Sequence, residues 1–154
     1  MLAAEPGTYA LVCVSSRTKT IEVGRQGRLG LQPGCYLYVG SAFGPGGVAA
    51  RVEHHRRRSL RPHWHIDYLR RHTRLDSVWL TYDPLPREHL WAHVLSAAPK
   101  CSVPLDGFGS SDCGCRSHLF YFEDIPSLHA FAALVHAADR SHGEVHEFRL
   151  DSEA

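Results

Sequence analysis

Short alternating or wholly apolar stretches occupy the first third of the chain, and helical spacing takes over after residue 47. Thr8-Tyr9-Ala10-Leu11-Val12-Cys13-Val14 is apolar and rich in β-branched residues, which predicts a strand. Thr20-Ile21-Glu22-Val23 alternates in and out and is expected to pair with it through a turn near Ser15 to Lys19. Gly27, Gly30 and Pro33-Gly34 interrupt residues 25–32, which read as a loop with room for a short strand. Gly34-Cys35-Tyr36-Leu37-Tyr38-Val39-Gly40-Ser41 then alternates aromatic and aliphatic side chains and stops at Gly40-Ser41. That is the pattern of a buried strand ending where the chain turns sharply. These three strands are expected to form an antiparallel sheet with tyrosines on the first and third.

A glycine-rich loop, Ala42 to Gly47, leads into a helix expected from Val48 to about Arg57. His63 to His72 reads as a second helix, with Trp64, Ile66, Tyr68 and Leu69 at mixed spacing. Leu75 to Tyr82 is a strand, and Asp83-Pro84-Leu85-Pro86 a turn. Arg87 to Ala97 is a helix, with Leu90, Trp91, Val94 and Leu95 on one side and Pro86 suited to its first turn. Residues 99–114 form a loop, His118 to Phe122 a last core strand, and Pro126 to Ala138 a helix with Leu128, Phe131, Leu134 and Val135 on one face. Gly143 to Leu150 is either an extra strand or a loose tail. No internal repeat or low-complexity segment is present. The fold class is therefore α/β (α+β), a central antiparallel or mixed sheet flanked by helices.

The chain of 154 residues, 44% apolar, suits one domain. No apolar run approaches the roughly 20 residues that cross a bilayer, and residues 1–6 carry no signal-peptide pattern, so no membrane partner is expected. Five cysteines, an odd and uneven set, suit reduced thiols in the cytoplasm.

A formal net charge of +1 conceals an asymmetry. Eight arginines against two acids fill residues 51–74, whereas seven acids against two arginines lie between Phe120 and the C-terminus. A solvated helix face would account for an isolated arginine run. Arginine in preference to lysine suits bidentate contact with phosphate, so Arg56, Arg57, Arg58 and Arg61 are candidate nucleic-acid contacts.

Arg51 and His55 are four residues apart and share a helix face, behind a strand that ends in tyrosine. That combination fits a phosphodiester-cutting site better than a generic core. The glycines of residues 40–47 lack the lysine and Ser/Thr of a Walker loop, so they are read as a turn beside the substrate. Cys113, Cys115 and His118, with Cys101 as a fourth ligand, suggest zinc, but Cys-x-Cys is tighter than the usual structural spacing and buried or loop thiols are the preferred reading. His63-x-His65 is a weak metal pair. Trp64 and His65 are expected to pack and hydrogen-bond, and Asp67 to orient a histidine.

Gly7-Thr8-Tyr9, Tyr38-Val39-Gly40, Arg51, His55 and Glu88, in that order, resemble the GIY-YIG nuclease superfamily. The closest likeness is to a small, largely uncharacterised branch carrying segments like Trp64-His65-Ile66-Asp67-Tyr68-Leu69 and Phe108-Gly109-Ser110-Ser111-Asp112-Cys113, ending in Ser117-His118-Leu119-Phe120-Tyr121. Some members of that branch are fused to DNA-repair glycosylases. The resemblance covers residues 6–122 as a GIY-YIG-like nuclease domain, with 123–154 as a helical, acidic extension packed on it. It implies Tyr9, Tyr38, Arg51 and His55 as catalytic residues and Glu88 as ligand to Mg²⁺ or Mn²⁺. It also implies DNA as substrate and repair proteins as partners.

The chain departs from the superfamily pattern in three ways. Threonine stands for the isoleucine of the first motif. The gap between the tyrosine motifs is long, which a hairpin insertion at Arg17 to Gln32 would absorb. The late asparagine of many nucleases has no clear match, with Ser110, Ser111 or Asp112 in its place. The expected function is a metal-dependent DNA endonuclease. The missing asparagine favours the alternative, a nucleic-acid-binding module that has lost hydrolysis, and the acidic tail leaves room for a third class, a protein-interaction domain.

Overall fold

The computed structural model describes residues 1–58, 61–111 and 113–150. Its centre is a five-stranded antiparallel sheet in the order β6-β4-β1-β5-β7. Strand β1 (Thr8–Ser15) lies in the middle, between β4 (Gly34–Ser41) and β5 (Arg74–Thr81). Strand β6 (Leu119–Phe122) pairs with β4, and β7 (His146–Arg149) pairs with β5 at the far edge. Residues 143–150 thus contribute a strand to the main sheet.

The second predicted strand pairs differently from expectation. Strand β2 (Lys19–Val23) joins β3 (Gly27–Leu31) in a separate two-stranded sheet and makes no ladder with β1. Both edges of β1 are already taken along its length by β4 and β5. The β2–β3 hairpin closes over a three-residue turn and buries one face, Ile21, Val23, Leu29 and Leu31. The insertion between the tyrosine motifs is therefore a hairpin, and it leaves β1 and β4 adjacent.

Helix α1 (Gly47–Arg56), the short α2 (His65–Arg70) and the hairpin cover one face of the main sheet. Val48, Val52, Ile66 and Leu69 pack there against Tyr9, Leu11, Cys13 and Val78. Helices α3 (Glu88–Ser96) and α4 (Leu128–Ala138) cover the other face. Trp79, Trp91 and Phe131 form its aromatic centre, with Phe131 stacked 5.0 Å from Trp79 and edge-on 4.9 Å from Trp91. Ser127 caps α4 by accepting the Ala130 N–H. No described helix is long and apolar enough to cross a membrane.

Candidate active site

The register of the central strands brings the two tyrosine motifs together. Tyr9 lies opposite Gly40 and Leu11 opposite Tyr38, which makes Tyr9 and Tyr38 diagonal neighbours on one sheet face. Gly40 is required by this crossing. A Cβ at that position would lie 2.4 Å from the Tyr9 ring and hydroxyl, so only glycine lets the phenol pass over β4.

Helix α1 delivers Arg51 and His55 to the same face. Its C-terminal turn is held by the buried Arg70, which donates to the carbonyls of His55 at 2.9 Å and Arg56 at 3.4 Å. Arg70 thus belongs to the scaffold, although its sequence context is the basic run. Asp67 accepts the backbone N–H groups of His63 and Trp64 at 2.8 and 3.0 Å, and its other oxygen lies 3.1 Å from His54 Nε2. It orients a histidine as expected and also fixes Trp64. His65 Nδ1 accepts the Gly109 N–H at 2.8 Å, which ties α2 to the loop before β6.

Tyr9, Tyr38, Arg51, His55 and Glu88 line one cleft of about 330 Å³, together with Ser41, Trp64, His89, Gly109, Cys113 and His118. The Tyr9 hydroxyl lies 2.6 Å from His55 Nε2, wholly buried. Either the phenol donates to a bare Nε2 or an Nε2–H donates to the phenol oxygen. In both arrangements Nδ1 of His55 is buried without a hydrogen-bond partner. The Arg51 guanidinium sits 4.7 Å from the centroid of Trp64, stacked on its face and directed at the cleft. Glu88 opens α3 at the opposite wall. Its two oxygens lie 3.6 Å from His89 Nε2 and 3.6 Å from His118 Nδ1.

Burial dominates the electrostatics. It pushes the Tyr9 phenol well above its ordinary range, with Tyr38 adding to the rise and Arg51 opposing it. Tyr38 is raised as well, by burial and then by Glu88. Burial lowers His55 to about 3, helped by His54, and raises Glu88. At neutral pH the cleft therefore presents two protonated phenols and a neutral imidazole beside the Arg51 guanidinium. A cation or an anionic ester entering it would meet a site that is desolvated and already oriented.

The remaining candidates fall elsewhere. Arg56, the last residue of α1, and Arg57, Arg58 and Arg61 beyond it are exposed, and none lines the cleft. Arg57 pairs with Glu53 at 3.2 Å, and Arg58 donates to the carbonyls of Arg70 and Thr73. Ser110 is buried and Ser111 exposed, and neither lines the cleft. Asp112 and the last four residues of the acidic tail lie outside the described residues. The sequence pattern does not single out His89, and it offers His118 both as the start of a core strand and as a candidate zinc ligand. The one available signal for His89 was its place directly after Glu88.

A model of the family described as a domain of unknown function, DUF123, matches residues 8–140, a span that includes every cleft residue. No curated protein and no solved structure matches the chain.

Proposed function

The chain belongs to the DUF123 family, described as a domain of unknown function, and on the geometry of its cleft we propose that it is a metal-dependent endonuclease of the GIY-YIG kind, hydrolysing DNA phosphodiester bonds in repair. The supporting observation is the buried Tyr9–His55 contact of 2.6 Å, in a cleft that Tyr38, Arg51 and Glu88 also line. Phosphodiester hydrolysis needs a positioned water, compensation of charge on the phosphoryl oxygens and help for the leaving alkoxide.

Arg51, held over Trp64, grips the phosphate and stabilises the charge added in the transition state. Tyr9 and Tyr38 orient the attacking water from the sheet face. His55, kept neutral because burial lowers it to about 3, is too weak a base to take the Tyr9 proton, and its role is to hold the Tyr9 hydroxyl in place through the 2.6 Å contact. Glu88 is a hard carboxylate on the cleft wall, raised by burial and so receptive to a cation. It would hold one Mg²⁺ or Mn²⁺, and such an ion supplies Lewis-acid stabilisation of the phosphoryl and leaving oxygens. The exposed arginines 56, 57, 58 and 61 would extend the contact along the DNA backbone. Five free thiols suit a reducing compartment such as the cytoplasm.

The test is cleavage of end-labelled single-stranded, duplex and branched DNA with Mg²⁺, Mn²⁺ or EDTA. Metal-dependent cutting is expected, with Arg51→Ala slowing it by roughly 10²-fold or more while the melting temperature stays near that of the parent. Full cleavage by Arg51→Ala would count against the assignment. A second reading, a binding module without hydrolysis, is favoured by one observation: neither Ser110 nor Ser111 reaches the cleft where the superfamily's asparagine would be sought. DNA binding at low salt with no cutting under any metal would select it.

A further inference from the structure

A cluster of different chemistry is built into the wall of the cleft, which His89, Cys113 and His118 line. His89, Cys113, Cys115 and His118 each offer a nitrogen or sulfur ligand atom, and these atoms all lie within 4.8 Å of one another. His118 Nε2 and Cys113 Sγ are 3.4 Å apart. A tetrahedral zinc ion with ordinary Zn–N and Zn–S lengths has ligand–ligand edges of about 3.3–3.8 Å. The four atoms are gathered around one point, and an ion would draw the widest pairs, which lie within 4.8 Å, together by up to about 1–1.5 Å.

Three of the four residues sit on one loop. The His118 N–H donates to the Phe108 carbonyl at 2.8 Å and closes the loop into a ring, while His89 comes from the first turn of α3. Cys101, the fourth ligand suggested by the sequence, is not in the cluster. An independent observation concerns His118, a buried residue whose Nδ1 has no hydrogen-bond partner. With Nε2 on a metal, Nδ1 must carry the proton, and Glu88 Oε2, 3.6 Å away, would accept that N–H after a slight approach. A carboxylate behind a ligating histidine is the usual outer arrangement of a zinc site.

We propose that His89, Cys113, Cys115 and His118 form a structural zinc site that fastens the loop of residues 108–118 to α3. Two thiolates and two imidazoles suit zinc or cobalt and discriminate against the hard cation assigned to Glu88. Two thiolates also neutralise the ion, and four protein ligands leave no open position, so its role is to hold the wall of the cleft. The fastened loop carries Gly109, which packs against Tyr38, and Phe108, whose ring lies edge-on 6.1 Å from that tyrosine. Zinc loss would therefore loosen the cleft without removing any group from it.

The test is metal content, independent of any cleavage. The full chain is produced in zinc- or cobalt-supplemented culture, purified without chelator and analysed by mass spectrometry of the bound metal. One zinc per chain is expected. The cobalt form should display a sulfur-to-metal charge-transfer band and the strong visible bands of a tetrahedral centre. The pair Cys113→Ser/Cys115→Ser should lose the metal, and Cys101→Ser should keep it. His89→Gln alters an exposed side chain and leaves the fold intact by circular dichroism. It should weaken zinc binding, read by competition with a chromophoric chelator, by more than the roughly 10–100-fold that loss of an outer partner costs. A parent chain that retains neither metal overturns the proposal. So does a Cys113–Cys115 disulfide in its place, or a double serine variant that retains as much metal as the parent.

Discussion

Two buried polar clusters flank the start of β1, and they follow opposite rules. Behind α3, Arg87 donates to Asp83 at 3.0 Å and to Asp139 at 2.6 Å, while its backbone N–H donates to Thr8 Oγ1 at 3.1 Å. Asp83 also accepts the N–H groups of Gly143 and Leu85. Nearby, Trp91 Nε1 donates to His142 Nε2, and His142 Nδ1 donates to the Gly143 carbonyl. In the cleft, by contrast, His55 and His118 each keep a buried nitrogen with no partner. The first cluster joins β5, α3 and the C-terminal segment, and each of these groups is answered by another. The second leaves donors and acceptors open, which costs stability and is sustained where a ligand or substrate completes the set. Polar satisfaction thus distinguishes these two clusters, while His72 Nδ1 and Ser110 Oγ, outside the cleft, are also buried without partners.

The scaffold cluster should give the largest stability loss. Arg87→Ala leaves the Asp83 carboxylate buried without its charge partner and should cost about 3–5 kcal/mol in urea unfolding. A loss under about 1 kcal/mol would break the contrast, because it would mean that this cluster is no more stabilising than a surface pair. Gly40→Ala comes next. Its Cβ would overlap the Tyr9 ring at 2.4 Å, and overpacking of this kind costs roughly 1–3 kcal/mol. The same variant should slow cleavage, since the displaced phenol loses its contact with His55.

A smaller and graded effect belongs to pH. His55 is lowered in the folded chain to about 3, so between that value and the ordinary 6.5 the unfolded chain binds the extra proton. Its contribution to stability is complete above about 6.5 and declines as the pH falls toward 3, with a slope of at most ~1.4 kcal/mol per pH unit. Unfolding curves of the parent and of His55→Gln, recorded from neutral to acidic pH, should diverge in slope over that window. Parallel curves would show that the histidine is not held neutral by burial. The smallest effect is expected from Arg57→Ala. Its exposed pair with Glu53 is worth about 0.3–0.5 kcal/mol, yet loss of one phosphate contact should reduce the salt dependence of DNA binding by a slope of about 0.9.

Much of this architecture could be read in the chain. Runs such as Thr8 to Val14 and Tyr36 to Val39 are strands because their apolar, branched and aromatic residues must be buried on a pleated surface. The four-residue step from Arg51 to His55 shares a face because of helical periodicity. Local pattern identifies an element but not its neighbour. The alternation of Thr20 to Val23 suits any partner that buries one face, and so its pairing with Gly27 to Leu31 in place of β1 was not legible. Long-range roles were hidden for the same reason. Arg70 and Arg57 stand in the same basic stretch, yet one is buried against the end of α1 and the other is solvated. His89 joins Cys113, Cys115 and His118 only because α3 and the loop before β6 meet at one end of the sheet.

The proposed hydrolysis requires Tyr9 and Arg51 to act as parts of one unit. Single-turnover cleavage of the preferred DNA by Tyr9→Phe, Arg51→Ala and the double variant tests this directly. If the two groups serve one transition state in one cleft, the double variant should be hardly slower than the slower single variant. Losses that multiply in full would mean that the two residues work independently, and would contradict the shared site.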